Sequence, residues 1–274
     1  MAVSLEQSYA HCRKVARTRA RNFYYSFVLL AKNQKNAMCA MYAFMRFCDD
    51  LSDESGASAA AIERWRNELS EALAGRFSEN PVWPAFCDSA QRYSIPHQYF
   101  FDMIEGVASD LEPRAIRTFD ELYRYCYRVA SVVGMTTIHI FGFDAPEALP
   151  LAEKCGIAFQ ITNILRDVRE DRENGRVYLP EEDIERFGAD LGSYDERFVE
   201  LMRFEAGRAR AHYEESAPLL GMVHKRSRAS LWALIEIYRR LLGRIERSNF
   251  RVLEQRISLP AWEKMRIVLQ AAVR

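Results

Sequence analysis

The 274 residues carry 38 lysines and arginines against 38 aspartates and glutamates, with 49% hydrophobic and 12% aromatic content and no formal net charge. A chain near 300 residues buries about three quarters of its unfolded surface, so one large core is available and a single domain over 1–274 is expected. Zero net charge provides no whole-molecule field to draw a polyanion, which excludes nucleic acid held by a generally basic surface and makes any attraction for anions local.

Six cysteines (Cys12, Cys39, Cys48, Cys87, Cys126, Cys155) occur without a CxxC pair, and the five histidines show no HxxxH spacing. That pattern reads as reduced, buried thiols in a cytoplasmic protein, not as a disulfide framework or a zinc cluster. Glu6, His11, Arg13 and Lys14 stand where a secretion signal would need an apolar core, so none is expected. The longest uncharged stretch, Val129 to Phe143, is 15 residues long, short of the roughly 20 that span a bilayer. A cytoplasmic location follows, at most peripheral to the inner face of a membrane.

In chain order, Ser4 with Gln7 forms the first capping-box pattern and opens a helix. A long helix through Tyr42 and Asp53 follows; Ser55 to Ala61 reads as a loop, and Gly75 closes the run from Ser58 to Ala74. Glu79 to Pro84 reads as a second loop. Thr118 with Glu121 and Ser193 with Glu196 give two more capping patterns. The segments Pro113–Pro146, Pro180–Pro218 and Pro218–Pro260 contain no internal proline, and their apolar residues recur at three- and four-residue spacing. The β-branched run Val129 to Phe143 continues a capped segment about 25 residues long, and that length favours a buried helix over a strand. With no sustained period-two alternation, the class is all-α.

One constellation occurs twice. Tyr42, Arg46, Asp49 and Asp53 sit at i, i+4, i+7 and i+11; Gln160, Asn163, Asp167 and Asp171 sit at i, i+3, i+7 and i+11. Each set shares one helix face. Carboxylates at i and i+4 repel by a few tenths of a kcal/mol unless a cation lies between them. Both faces emerge from small apolar residues, Ala37 to Phe44 and Cys155 to Phe159, so the carboxylates are placed at a cavity and not in open solvent. Mg²⁺ suits them, since it takes one or two carboxylates and completes its shell with water and substrate phosphate; Mn²⁺ is the alternative. Arg46 and Arg166 add guanidinium forks for phosphate oxygens, and Arg13, Lys14, Arg17, Arg19 and Arg21 form a basic N-terminal segment. Aromatic residues (Phe23, Tyr24, Tyr25, Phe27, Tyr42, Phe44, Tyr125, Phe159, Tyr178, Tyr238) lie along the expected cavity helices, where aromatic faces can stabilise a carbocation while apolar walls exclude water.

The segments Tyr42-Ala-Phe-Met-Arg-Phe-Cys-Asp-Asp-Leu-Ser-Asp53 and Gln160-Ile-Thr-Asn-Ile-Leu-Arg-Asp-Val-Arg-Glu-Asp171, with Gly175-Arg-Val-Tyr-Leu-Pro180 after the second, resemble the two signatures of the squalene and phytoene synthases. Tyr125-Cys-Tyr-Arg-Val-Ala-Ser-Val-Val-Gly134 is similar to a further family segment, and Arg21 to Phe27 resembles the bacterial presqualene diphosphate synthases of hopanoid pathways. The resemblance implies an isoprenoid synthase helical bundle around a central cavity. It also implies Mg²⁺-dependent head-to-head joining of two prenyl diphosphates. By position, Asp49, Asp53, Asp167 and Asp171 would hold metal-diphosphate. Tyr42, Arg46, Gln160, Asn163, Arg166 and Tyr178 would line the ionisation site, Tyr125 would face the cavity, and Arg256 or its neighbour Gln255 would contact phosphate. The eukaryotic membrane-anchoring C-terminal helix is not expected.

The function so implied is condensation of two farnesyl diphosphates to presqualene diphosphate. The runner-up products are phytoene, from geranylgeranyl diphosphate, and squalene or dehydrosqualene. Reduction to squalene would need NADPH. A non-catalytic helical protein that binds a prenyl diphosphate is the alternative from another class. So apolar a product favours contact with a membrane face or with a downstream enzyme.

Overall fold

A computed structural model describes residues 3–20, 23–53, 58–111 and 115–273, with backbone alone at 52 and 53. The helices are α1 (Leu5–Arg19), α2 (Phe23–Phe27), α3 (Lys32–Asp53), α4 (Ala59–Leu73), α5 (Trp83–Arg92), α6 (Gln98–Ala108) and α7 (Phe119–Cys126). They continue as α8 (Val132–Phe141), α9 (Ala148–Glu173), α10 (Glu181–Phe187), α11 (Glu196–Glu215), α12 (Leu219–Met222), α13 (Lys225–Arg247) and α14 (Ala261–Ala272). A π-helical turn, Tyr127–Ser131, joins α7 to α8 without a break. No β-strand occurs among the described residues; one isolated antiparallel bridge pairs Phe143 with Val223. The class is all-α, and no helix among the described residues is long and apolar enough to cross a membrane.

Local chemistry sets the helix ends. The Ser4 hydroxyl accepts from the Gln7 amide, while Gln7 Oε1 accepts from the Ser4 amide at 2.9 Å, a complete capping box. At α7 the box is half made. Thr118 Oγ1 accepts from the Glu121 amide, but the Glu121 carboxylate accepts from the amide of Arg117, one residue upstream, at 2.8 Å. Ser193 does not cap α11. Asp195 does, its Oδ1 accepting from the Phe198 amide at 2.8 Å, because an ionised carboxylate satisfies that donor and also complements the positive end of the helix. Ser58 caps α4, so residues 59–61 are helical and not loop, and α5 already begins at Trp83 with Pro84 in its first turn. Residues 55–57 lie outside the described residues. Gly75 and Gly175, at φ +82° and +73°, stop α4 and α9.

Two hydrophobic clusters build the core. One gathers α1, α3 to α6 and α8 around the fully buried rings of Phe44, Phe86 and Phe100, with Phe44 and Phe86 stacked at 4.5 Å. The other gathers the second half of α9 with α11, α13 and α14. The central α9 is buried along much of its length and belongs to both. Small residues let its neighbours approach: a Cβ on Gly156 would lie 2.6 Å from Ser131 Cα, and one on Gly134 would lie 2.9 Å from the Ala152 carbonyl oxygen. This backbone-to-backbone contact fixes the π turn and α8 against α9. The six cysteines are all free thiols, and Cys87 alone of them is not fully buried.

Candidate active site

Between the two clusters lies a cavity of about 420 Å³ walled by α2, α3, α6, the π turn, α8, α9, α12 and α13. It is elongated, with its polar and apolar ends set by position along α3 and α9. Met38 and Asp49 both line it, 11 residues apart on α3, as do Cys155 and Asp171, 16 apart on α9. At 1.5 Å per residue the wall runs for roughly 16 Å on one side and roughly 24 Å on the other. On each helix the carboxylates come last along this wall, Asp49 on α3 and Asp167 and Asp171 on α9, and Met38, Leu219 and Leu231 are among its apolar lining.

The structure brings most of the residues singled out by the sequence to this one wall. Tyr42 and Asp49 arrive from α3, Gln160, Asn163, Arg166, Asp167 and Asp171 from α9, Tyr125 from the end of α7, and Tyr178 from the segment after α9. Asp53 ends α3, but its side chain lies outside the described residues. Arg46 is not on the wall; its guanidinium pairs with Asp50, its i+4 neighbour. Arg166 grips Asp167 in a fork, with Nε donating to Oδ1 at 2.7 Å and Nη2 to Oδ2. Arg256 reaches the same carboxylate from beyond α13, 3.1 Å from Asp167 and 3.3 Å from Glu170. Asp167 therefore carries two guanidinium partners.

Burial dominates the electrostatics of the acidic end. Burial, reinforced by the Asp167 carboxylate, pushes Asp171 up to about 7, with Arg176 pulling the other way. Burial also raises Tyr42 to about 12. Two buried polar atoms, Asn163 Oδ1 and Arg46 Nε, have no hydrogen-bond partner within the protein. Among the described residues no three carboxylate, histidine or cysteine groups come close enough to cage a metal by themselves. One or two carboxylates from each helix, with the remaining oxygens left to water and phosphate, is the donor set that suits Mg²⁺.

Two residues that sequence spacing did not pick out complete this end. Asp110, just past α6, accepts hydrogen bonds from Tyr125 Oη at 3.2 Å and from Tyr178 Oη at 2.9 Å. The two phenol rings stack at 4.8 Å with an interplanar angle of 21°. Arg176 lines the cavity beside Asp171. Behind the tyrosine pair opens a second cavity of about 290 Å³, lined by Arg117, Arg124, Arg128 and Arg176 and sharing Asp110, Tyr125 and Tyr178 with the first.

The apolar wall is rich in aromatic rings. Phe159 and Tyr238 stack face to face at 4.2 Å and 8°, with Phe23 tilted against Tyr238 at 5.8 Å, and Phe27 also lines the cavity. Tyr24, Tyr25 and Phe44 do not line it. Phe44 is spent on the aromatic core, while Tyr24 and Tyr25 lie under Lys35 and Lys264. In the basic N-terminal segment, Arg13 binds Glu6 and Asn36, Arg19 stands 3.9 Å from Asp50, Lys14 and Arg17 are exposed, and Arg21 lies outside the described residues.

A family model described as squalene/phytoene synthase matches residues 16–263. The chain belongs to the squalene/phytoene synthase family. A phytoene synthase of Arthrospira platensis is 37% identical, over 97% of this chain and 93% of its own length. A 15-cis-phytoene synthase of Synechococcus elongatus is 34% identical, over 96% and 91%. Among solved structures, a dehydrosqualene synthase in complex with a ligand superposes with a TM-score of 0.92 at 28% identity, over 98% of this chain and 96% of that one. The squalene synthase HpnC from Alicyclobacillus acidocaldarius gives 0.84 at 27%, over 91% and 97%. This member of the squalene/phytoene synthase family is accordingly a prenyltransferase with the isoprenoid synthase fold.

Proposed function

We propose that this enzyme joins two farnesyl diphosphates head to head to give presqualene diphosphate. The observation that carries the reading is the elongated cavity lined by the acidic faces of two helices, with stacked aromatic rings in its wall. The C1–O bond of the donor breaks and releases diphosphate. The allylic cation is captured by the C2=C3 bond of the acceptor, and loss of a proton from the donor C1 closes the cyclopropane ring. Asp49, Asp53, Asp167 and Asp171 would hold Mg²⁺, or Mn²⁺, which when bound neutralises charge on the leaving diphosphate.

The chain's own groups account for the rest. Arg166, Arg256 and Arg46 present guanidinium groups at or beside the acidic end, and Gln160 and Asn163 supply amide donors and acceptors to substrate. The faces of Phe159 and Tyr238 stabilise the cation, and the apolar wall withholds water from it. The departing diphosphate is the acceptor for the released proton, and the Tyr42 phenol, kept protonated by burial, can take it only by handing its own proton on to that diphosphate; Tyr125 and Tyr178 form part of the same wall. Reduction to squalene would require NADPH and lies beyond this step. The names of the sequence relatives favour a second reading, in which two geranylgeranyl diphosphates give phytoene.

Incubating the protein with Mg²⁺ and either farnesyl or geranylgeranyl diphosphate, with and without NADPH, and identifying the dephosphorylated products by mass spectrometry tests both readings. Presqualene alcohol from the farnesyl sample is the expected result. A C40 product with none from farnesyl diphosphate would transfer the assignment to phytoene. Failure with both substrates, alongside tight prenyl-diphosphate binding, would leave a binding protein. Asp49→Ala is expected to lower turnover by about 10²–10³-fold, the effect of removing one group that stabilises transition-state charge; wild-type turnover in that variant would remove Asp49 from the site.

A further inference from the structure

The second cavity, behind the tyrosine pair, concentrates positive charge on a chain whose net charge is zero. Among the described residues four guanidinium groups line it, from Arg117, Arg124, Arg128 and Arg176, against two carboxylates, Asp110 and Glu121. Both carboxylates are already engaged by donors. Asp110 Oδ1 accepts from Tyr178 Oη at 2.9 Å and Oδ2 from Tyr125 Oη at 3.2 Å. Glu121 Oε2 accepts from the Arg117 amide at 2.8 Å, and its Oε1 lies 3.5 Å from the Arg117 guanidinium. The arginines are less committed. Arg128 approaches Glu105 at 3.7 Å, with both side chains near half exposed, and such a pair contributes little. Arg124, exposed, makes no ion pair among the described residues.

A pocket with spare guanidinium donors takes an anion rich in oxygens, since each planar fork pairs bidentately with phosphate. The neighbouring cavity identifies it. Asp110, Tyr125, Arg176 and Tyr178 line both cavities, so the two have a wall in common. We propose that the second cavity is a binding site for inorganic diphosphate, the leaving group of the reaction proposed for the first. The source of the anion rests on that reading; the site itself does not. Arg176 borders the anion on both sides of the wall, while Arg117, Arg124 and Arg128 are exposed and face solvent. Guanidinium groups in contact with water hold an anion loosely enough to let it go, as product release demands. A nicotinamide dinucleotide offers the same diphosphate chemistry. A volume of about 290 Å³, however, lies at the floor of the roughly 300–1,000 Å³ range of pockets that enclose drug-sized molecules, and a dinucleotide exceeds those in size.

Isothermal titration calorimetry of the full chain with inorganic diphosphate, in EDTA and without prenyl substrate, tests the site. Removing divalent metal leaves the carboxylates of the first cavity to repel the anion, and variants in the second locate the binding. The wild type is expected to bind diphosphate more tightly than orthophosphate or NADPH. The double variant Arg124→Gln, Arg128→Gln should lose about tenfold or more in affinity, the effect of removing two charge-assisted contacts. Arg124→Glu, a single charge reversal, should do the same. Arg203→Gln, exposed and outside the cavity, should bind as the wild type does. All three arginines are exposed, and an unchanged thermal midpoint separates a lost site from a lost fold. No binding by the wild type, or equal binding by the double variant, would overturn the assignment. So would orthophosphate bound as tightly as diphosphate, the mark of a general anion basin, or NADPH bound more tightly than diphosphate and lost in the double variant, the mark of a dinucleotide site. In turnover at saturating prenyl diphosphate, added diphosphate should still inhibit the wild type, with about tenfold less potency against the double variant; purely competitive inhibition, the same in both, would confine the anion to the first cavity. The calorimetry uses no prenyl substrate, so absent turnover would leave its result standing, and absent binding would leave the condensation reading in place.

Discussion

A single carboxylate organises the wall between the two cavities. Asp110 is the common acceptor for Tyr125 and Tyr178, and an ionised carboxylate can accept from both phenols without a donor of its own to satisfy. Asp110→Asn retains the shape but turns one acceptor into an NH₂ donor, so one tyrosine must rotate or lose its partner. The expected result in steady-state kinetics is a fall in kcat of roughly tenfold or more with a smaller change in KM, the mark of lost positioning; wild-type kcat would show that the tyrosines hold their places by stacking alone. The sequence exposes such residues unevenly. Asp49, Asp167 and Asp171 are legible because a helix repeats them at fixed spacing. Asp110 is not, since its partners lie 15 and 68 positions further along the chain. Arg46 is the reverse case. Two carboxylates stand within its reach, Asp49 at i+3 and Asp50 at i+4, so spacing leaves its partner ambiguous, and in the structure its guanidinium pairs with Asp50.

Among the elements, the π turn between α7 and α8 does most to shape the site. One extra residue per turn shifts the side chains that follow it, and Val129 and Ala130 of this turn line the cavity directly after Tyr125. The turn is seated by the bond from Ser131 Oγ to the Glu153 carbonyl at 2.8 Å and by the bare backbone of Gly156. Gly156→Ala would push a methyl to 2.6 Å from Ser131 Cα, a contact with backbone that no rotamer can relieve. Destabilisation of about 1–3 kcal/mol or more is expected in urea unfolding, the cost of overpacking, together with reduced turnover as the turn shifts. If unfolding and turnover matched the wild type, α9 would have to be free to slide. Periodicity made the helices themselves legible here, Val129 to Phe141 included, because a capped segment of that length favours a helix over a strand; the apolar run goes on to Phe143, but Gly142 at φ +83° ends the helix and Phe143 bridges to Val223. A π turn adds one residue and rotates the pattern that follows it, but the run from Val129 is apolar on every side, so the change of phase leaves no mark in the sequence. Ser193 misled for a related reason: its spacing to Glu196 imitates a capping box, yet the helix takes the stronger cap two residues later at Asp195.

For the whole molecule, a net charge of zero conceals a buried charge imbalance. Asp183 on α10 and Glu205 on α11 share one arginine, Arg208, whose guanidinium also lies over the rings of Phe119 and Phe204 at 4.2 and 4.5 Å. Glu205 is fully buried. Burial pushes its carboxyl up to about 8 from an ordinary 4.5; Arg208 opposes the rise and Asp183 adds to it. A carboxyl with a raised native value binds its proton more tightly in the folded state. Its contribution to stability is whole below pH 4.5 and is lost as the pH climbs towards 8, because the unfolded chain releases that proton first. Glu205→Gln keeps the side-chain shape and cannot ionise, and Asp183 still pairs with Arg208. At pH 5, where Glu205 is protonated in the folded protein, the variant should unfold in urea close to the wild-type midpoint. At pH 8.5 it should be the more stable of the two by an amount on the order of 1 kcal/mol or more, since the wild type must then hold two buried anions against one cation. A difference between variant and wild type that does not change from pH 5 to 8.5 would mean that Glu205 is ionised throughout, and that Arg208 alone balances both carboxylates.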